Sequence, residues 1–374
     1  MPDSFFPTKQ ISFLNQWFKE TSGAKMQSLG VQGGFSGAVI WRLSLHGKDF
    51  CLRRWPRAHP TIDGLLAIHG LLQHVAAAGY RVAPEPMPTL TGDTFFVNED
   101  HLWELTPWMP GVADFGGNLS PVRLTAAMQA LADFHQAAGT FAFRGAAAHI
   151  GPSAGLRDRL TLLSALQQGG LPNFWKATRS AEGSDLRELA FELLENIGSS
   201  LDRVVILLKQ VVDAPLALQW VLRDVRHNHL LFTGDRVTGL LDFGAVAVDS
   251  VACDVARLLG SMINDNTEIW EAGIQAYEGM HKLSLDEHRA IAAFDEGGTL
   301  CSAANWIRWL FVEGRSFPQI HALHEQLVWL RNRLQQMSGV SHASVSPPAR
   351  QQDYCLPPSP SGPHRPLVPR RTSK

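Results

Sequence analysis

The sequence predicts an α+β chain of two lobes, an antiparallel β-rich first lobe and a mainly helical second one. Three observations carry this. Before residue 106, short apolar and aromatic runs alternate with turns rich in glycine, asparagine and aspartate. At Glu104-Leu105-Thr106-Pro107-Trp108-Met109-Pro110-Gly111, prolines and a glycine break that pattern, and the apolar residues beyond it recur with helical period. One hairpin signal, at residues 230–241, then stands alone among the helices. A chain of 374 residues is long enough for two lobes around a sizeable core.

The elements follow in order. Residues 11–20 (ISFLNQWFKE) form a short amphipathic helix, with Leu14, Trp17 and Phe18 on one side, inside an N-terminal extension of residues 1–24. The β-rich lobe spans 25–106. It opens with Met26–Val31, the glycine-rich turn Gln32–Gly37, Ala38–Leu45, and Phe50–Trp55. Glycines at such a turn either leave backbone N–H groups open to phosphates or merely permit positive φ. In the third strand Cys51, Arg53 and Trp55 share one face and Phe50, Leu52 and Arg54 the other, so Arg53 is either a cleft cation or a solvated edge residue. Thr61–Ala78 is a helix, capped by Thr61 and closed by Gly79; it carries His69 on its apolar face and no glutamate. Pro84–Leu90, Thr94–Val97 and His101–Leu105 continue the sheet.

The helical lobe spans 107–337. Ser120-Pro121 is a strong helix start, and that helix runs to Ala138 with His135 as a packed core histidine. Further helices are expected over 155–168, 185–212, 251–263, 266–277, 284–294, 299–312 and 319–337. Residues 338–374 (SGVSHASVSPPARQQDYCLPPSPSGPHRPLVPRRTSK is their full run) are proline- and serine-rich and read as a disordered tail.

Composition narrows the classes of function. A formal net charge of -2 leaves no basic footprint for general nucleic-acid binding. No apolar run reaches membrane-spanning length, and the start, MPDSFFPTKQ, has no signal-peptide pattern. Cys51, Cys253, Cys301 and Cys355 form no CxxC pair and read as reduced thiols of a cytoplasmic protein.

The chemistry concentrates in residues 220–257, WVLRDVRHNHLLFTGDRVTGLLDFGAVAVDSVACDVAR. Leu230–Phe232 and Val237–Leu241 flank the turn Thr233-Gly234-Asp235-Arg236. Asp224 precedes the first run and Asp242 directly follows the second, so a hairpin holds two carboxylates near one end. Phosphoryl transfer needs such a pair, one beside a substrate hydroxyl and one on a metal ion, because the protein supplies positioning and charge compensation.

That run, with Gly239-Leu240-Leu241-Asp242-Phe243-Gly244 and Asp254-Val255-Ala256-Arg257, resembles the aminoglycoside phosphotransferase and choline kinase group of the protein-kinase-like fold. The resemblance covers residues 25–335. It implies ATP and Mg²⁺ as cofactors and a small-molecule hydroxyl as substrate, with neither nucleic acid nor membrane as partner. By this resemblance Asp224 is the catalytic base and Asp242 the metal ligand. Asp254 braces the catalytic loop, and Arg53 takes the place of the phosphate-clamping lysine. Gly33, Gly34 and Gly37 would cover the phosphates, and Glu104, Leu105 and Thr106 would present backbone groups to adenine. The short segment from Phe243 to Cys253 favours a small acceptor over a peptide.

Three positions depart from the family pattern. Leu222 stands where the family's loop has histidine, and Arg53 replaces lysine. His229 occupies the place of the second metal ligand, an asparagine, with Asn228 beside it. An imidazole there suits Mn²⁺ or Zn²⁺ better than Mg²⁺, and His227, His229 and Asp242 together would either make a transition-metal site or, as histidines beside such loops commonly do, pack and hydrogen-bond. Near residues 296–313, Glu296, Asn305, Trp306, Arg308, Trp309 and Glu313 cluster; tryptophan with carboxylates offers a cage for a cationic amine, or a packed core, and Arg308 and Arg315 leave an anionic or sugar substrate open. The sequence therefore predicts an ATP-dependent phosphotransferase acting on a small-molecule hydroxyl, with a catalytically weak nucleotide-binding pseudokinase as the alternative.

Overall fold

The computed structural model describes residues 11–30, 37–181, 186–262, 266–317 and 319–339; Gly33, Gly34 and nearly all of the proline-rich tail lie outside them. Five antiparallel strands form the first lobe: β1 (Lys25–Gly30), β2 (Val39–Leu45), β3 (Lys48–Arg54), β4 (Phe95–Asn98) and β5 (His101–Pro107), in the order β1-β2-β3-β5-β4. Period-two alternation divides their faces. Trp41, Leu43, Phe50, Leu52, Trp103 and Leu105 point into a small core closed by Leu14 of a 3₁₀ turn at Ile11–Gln16 and by Trp17 directly after it. That turn replaces the expected helix of residues 11–20. On the opposite face Ile40, Cys51, Arg53, Glu104 and Thr106 line a cleft. Helix α1 (Ile62–Ala77) covers that side, and Thr61 caps it by accepting from the Gly64 N–H at 3.1 Å.

The expected strand at Pro84–Leu90 is absent, since Pro84, Pro86 and Pro88 remove alternate backbone donors that a ladder would need. Three strands went unread in the sequence. After α2 (Pro121–Ala138), the second lobe forms a sheet of order β10-β7-β6, from β6 (His149–Gly151), β7 (Leu216–Val221) and β10 (Ala247–Ser250). The last two are short and abut helices, so no turn signal sets them off. The anticipated hairpin is β8 (Leu230–Thr233) with β9 (Arg236–Leu240).

The helices are α3 (Ala154–Ala165), α4 (Leu171–Ser180), α5 (Arg187–Val211), α6 (Val251–Met262), α7 (Thr267–Glu278), α8 (Leu285–Ile307) and α9 (Ile320–Gly339). Helix α8 is continuous where two helices were expected. Its Asp295-Glu296-Gly297-Gly298 stretch reads as a break, yet tertiary packing keeps it helical: a Cβ on Gly297 would stand 3.2 Å from Leu208 of α5. Buried leucines and valines of α5, packed on Ile291, Phe294, Leu300 and Ile307 of α8, build the centre of this lobe.

The proposed amine cage does not form. Trp306 is 6% exposed and packs edge-on against Trp309 and Phe317, while buried Glu296 pairs with Arg203 of α5.

Candidate active site

Asp224 and Asp242 occupy adjoining ends of one scaffold. Strand β7 leads into the loop that carries Asp224, and the segment after Asp242 returns as β10, pairing Ala247 with Val221. Both loop residues that set the geometry have left-handed backbones: Arg223 at φ 66° and Asp242 at φ 66°. Such conformations cost energy for residues other than glycine and persist where the surroundings impose them. Asp254, fully buried at the start of α6, supplies the restraint. Its Oδ2 accepts the Leu222 N–H and its Oδ1 the Arg223 N–H, both at 2.7 Å. His135 contacts the same carboxylate at 3.0 Å through Nε2 and Tyr277 at 2.7 Å through Nδ1.

One oxygen of Asp224 is heavily engaged. Oδ1 accepts from Arg257 Nε at 2.9 Å and Nη2 at 2.7 Å, and from Arg226 Nε at 3.2 Å. Oδ2 has no hydrogen-bond donor among the described residues and belongs to a side chain 41% exposed. Burial would push this carboxyl up, but the Arg257 and Arg226 guanidiniums outweigh it and hold the pKa below the usual range. The group is therefore an ionised acceptor with one oxygen open to a cleft. That cleft, of about 620 Å³, is lined by Asp158, Arg159, Arg223, Asp224, Gly244 to Ala247, Arg257 and residues of α8.

A second cleft of about 360 Å³ lies between the lobes, and Asp242 and Arg53 both line it. The hairpin sets His229 opposite Asp242, because the Leu241 N–H donates to the His229 carbonyl at 2.8 Å. His229 Nε2 stands 3.7 Å from Asp242 Oδ2, and its buried Nδ1 has no partner among the described residues. Burial lowers the His229 pKa against the pull of Asp242 and Asp224, which keeps the imidazole neutral and able to ligate. Asn228 is exposed. His227 turns away as well, its Nδ1 held 2.8 Å from the Ser261 carbonyl and its ring against Gly116. The expected three-residue transition-metal site is thus not assembled; among the described residues no group of three or more His, Cys, Asp or Glu is placed to hold a metal ion.

Arg53 has a partner that the sequence reading missed. Glu104, expected to contribute backbone, places its carboxylate between Arg53 Nη1 at 3.5 Å and His69 Nε2 at 2.7 Å. His69 stands on α1, and its Nδ1 lies 2.7 Å from Thr94 Oγ1. Burial would raise the Glu104 pKa, yet the His69 hydrogen bond and the Arg53 charge bring it below the usual value. Arg53 also lies over the Trp55 ring at 4.7 Å, while its buried Nε has no protein acceptor among the described residues. The Leu105 carbonyl accepts the Met87 N–H at 2.8 Å, and the cleft wall runs on through Thr106, Pro107, Trp108 and Met109. Gly37 is described, with φ 79°.

Further contacts join the lobes and brace the segment between them. His59 Nε2 contacts the Gly244 carbonyl at 2.9 Å. Val112 and Phe232 exchange backbone hydrogen bonds, each 2.9 Å long, which ties the segment after β5 to the hairpin. Gly111 makes that approach possible: its φ is +105°, and a Cβ there would lie 2.4 Å from Thr238 Oγ1.

A β-sheet lobe, a helical lobe and two carboxylates beside one hairpin are the parts of a protein-kinase-like fold. The chain belongs to the phosphotransferase enzyme family, whose sequence profile matches residues 29–294. It is 23% identical over 236 residues to a homoserine kinase of Granulibacter bethesdensis, covering 62% of this chain and 65% of that one; the match thus spans just under two thirds of that relative's length. In structure it is similar to an aminoglycoside phosphotransferase from Alicyclobacillus acidocaldarius (TM-score 0.59, 18% identity, 91% of this chain and 98% of that one). It is also similar to the amicoumacin kinase hAmiN in complex with AMP-PNP, Ca²⁺ and Ami (TM-score 0.58, 11% identity, 88% and 94% covered). Among the described residues no helix is long and apolar enough to cross a membrane.

Proposed function

We propose that this chain transfers the γ-phosphate of ATP to a hydroxyl of a small molecule. The carrying observation is the division of the two carboxylates between two clefts: Asp224, with Oδ2 open, lines one, and Asp242 lines the other. In this reading Asp224 orients the acceptor hydroxyl and takes its proton at Oδ2, while Arg257 and Arg226 keep the carboxylate ionised and fixed through Oδ1. Arg53, steadied by Glu104, directs its guanidinium toward the phosphates of the nucleotide, and its unpartnered Nε fits an anionic ligand. Gly37 and the neighbouring Gly33 and Gly34 cover the phosphates, and backbone from Glu104 to Thr106 and onward flanks the base.

Asp242 and His229 fit a divalent ion, since Asp242 Oδ2 and His229 Nε2 face each other at 3.7 Å, within the span of one coordination sphere. Mg²⁺ is the proposed metal, with Mn²⁺ favoured by the imidazole; when bound it neutralises charge on the transferring phosphoryl group. Two protein donors are few, and phosphate oxygens and water complete such sites. The Ca²⁺ and AMP-PNP of the amicoumacin kinase complex support a nucleotide and a divalent cation here. Homoserine, named by the Granulibacter relative, is the first acceptor to try. The free thiols of Cys51, Cys253 and Cys301 suit a reducing, cytoplasmic setting.

The test is ATP turnover by the purified chain with Mg²⁺ or Mn²⁺ across homoserine and a panel of small alcohols, with phosphorylated product detected by mass spectrometry. Product formation with at least one acceptor is expected. Retained nucleotide binding without product from any acceptor would favour a non-catalytic nucleotide-binding protein.

A further inference from the structure

The carboxylates of the Asp224 cleft are each matched to a guanidinium. Asp224 has Arg257 and Arg226, Asp295 has Arg333, and Asp158 stands 4.0 Å from Arg223. One cleft guanidinium is left over. Arg159, on α3, makes no ion pair among the described residues. Its Nη1 donates to the Gly155 carbonyl at 2.8 Å, it lies over the Phe294 ring at 5.0 Å, and its buried Nε has no acceptor. The nearby acid, Asp249, spends its oxygens on Ser153 Oγ and on the Gly155 and Ser250 N–H groups. Burial weakens the solvation of this guanidinium and lowers its pKa, yet arginine stays charged at any physiological pH.

The helix opposite meets this guanidinium with glycine rather than a side chain. Gly297 and Gly298 sit inside the 23-residue helix α8, where glycine is destabilising relative to alanine. A Cβ on Gly298 would lie 3.5 Å from Arg159 Nε and 3.6 Å from Nη2, an ordinary contact that would cover the guanidinium without displacing it. Thr299, Ser302 and Asn305 continue the same wall with hydrogen-bonding side chains.

We propose that Arg159 is the anchor for an anionic acceptor, a hydroxylated carboxylate whose charged end docks on this guanidinium over the bare Gly298 backbone. This rests on the reading of the Asp224 cleft as the acceptor site. A carboxylate matches the planar fork of arginine and supplies the counter-charge that Arg159 lacks. A polyamine acceptor meets an uncompensated cation there and is disfavoured.

Calorimetric titration in the presence of AMP-PNP and Mg²⁺ tests this with matched pairs, homoserine against homoserine amide and glycerate against glycerol. At least one carboxylate is expected to bind about tenfold or more tightly than its uncharged partner. Arg159→Met should erase that difference while leaving AMP-PNP affinity unaltered, and Arg159→Lys should retain part of it. Gly298→Ala should keep or raise Tm and still weaken carboxylate binding, which a purely structural role for Gly298 would not produce. Equal binding within every pair, absence of carboxylate binding, or wild-type carboxylate affinity in Arg159→Met would overturn the proposal. Turnover of the same acceptors with ATP in place of AMP-PNP separates the two readings: carboxylate binding without phosphoryl transfer upholds Arg159 and refutes the phosphotransferase assignment. Transfer with equal KM to charged and uncharged partners does the reverse.

Discussion

Glu104→Gln isolates the network that holds Arg53. Glutamine keeps the volume and an acceptor for His69 but removes the charge facing Arg53. Breaking a fully buried ion pair by deleting one partner costs about 3–5 kcal/mol. Here the Glu104 side chain is 6% exposed but Arg53 is 20% exposed, and they stand 3.5 Å apart. Partial solvation discounts the cost to about 2–3 kcal/mol. Urea denaturation at neutral pH should show that loss, and AMP-PNP titration should show affinity reduced about tenfold, equivalent to about 1.4 kcal/mol, because Arg53 is no longer held toward the cleft. The pH dependence carries a sign. His69 and Arg53 bring the folded-state pKa of Glu104 below its unfolded value of 4.5, against the effect of burial. Its stabilisation is therefore fully present above that pH and is lost as pH falls through the lower folded pKa. The gap between wild type and variant should shrink on acidification. A stability change under about 1 kcal/mol, with AMP-PNP affinity unchanged, would refute the reasoning.

Three other substitutions probe the remaining supports. Asp254→Asn swaps one acceptor oxygen for a donor that faces a backbone N–H or His135, and should cost about 2–4 kcal/mol in denaturant melts while lowering kcat through a displaced Asp224. Gly111→Ala forces a side chain into left-handed backbone and against Thr238, and should destabilise the chain by about 2 kcal/mol or more, read by calorimetry. His229→Asn should lower the ratio of Mn²⁺-supported to Mg²⁺-supported turnover, since an amide oxygen is the harder ligand; an unchanged ratio would remove His229 from the metal site.

Local signals recovered the strands of the first lobe, the capped helices at Thr61 and Ser120, and the hairpin, because each rests on neighbours in sequence. Period two placed Cys51 and Arg53 on the cleft face and Leu52 in the core. The failures share a cause in long-range packing. Gly297 and Gly298 look like a helix break until Arg159 and Leu208 are set against them. Pro84–Leu90 offered apolar residues, but its alternate prolines forbid a ladder. The Arg53–Glu104–His69 network joins three elements whose proximity no spacing discloses. A helix lacking glutamate hinted that the partner lay elsewhere, and the register of β3 with β5, Arg53 opposite Glu104, was the signal that could have found it. Trp306 shows the converse, for an aromatic and carboxylate cluster in sequence became packing once Arg203 and Phe317 were in place.

The central claim is that Asp224 serves the acceptor and Asp242 the nucleotide. Single-turnover transfer from radiolabelled ATP, measured alongside AMP-PNP affinity for Asp224→Asn, tests it most directly. The account predicts wild-type nucleotide affinity with transfer reduced at least about 100-fold. Transfer at the wild-type rate, or loss of nucleotide binding in a folded Asp224→Asn, would contradict it.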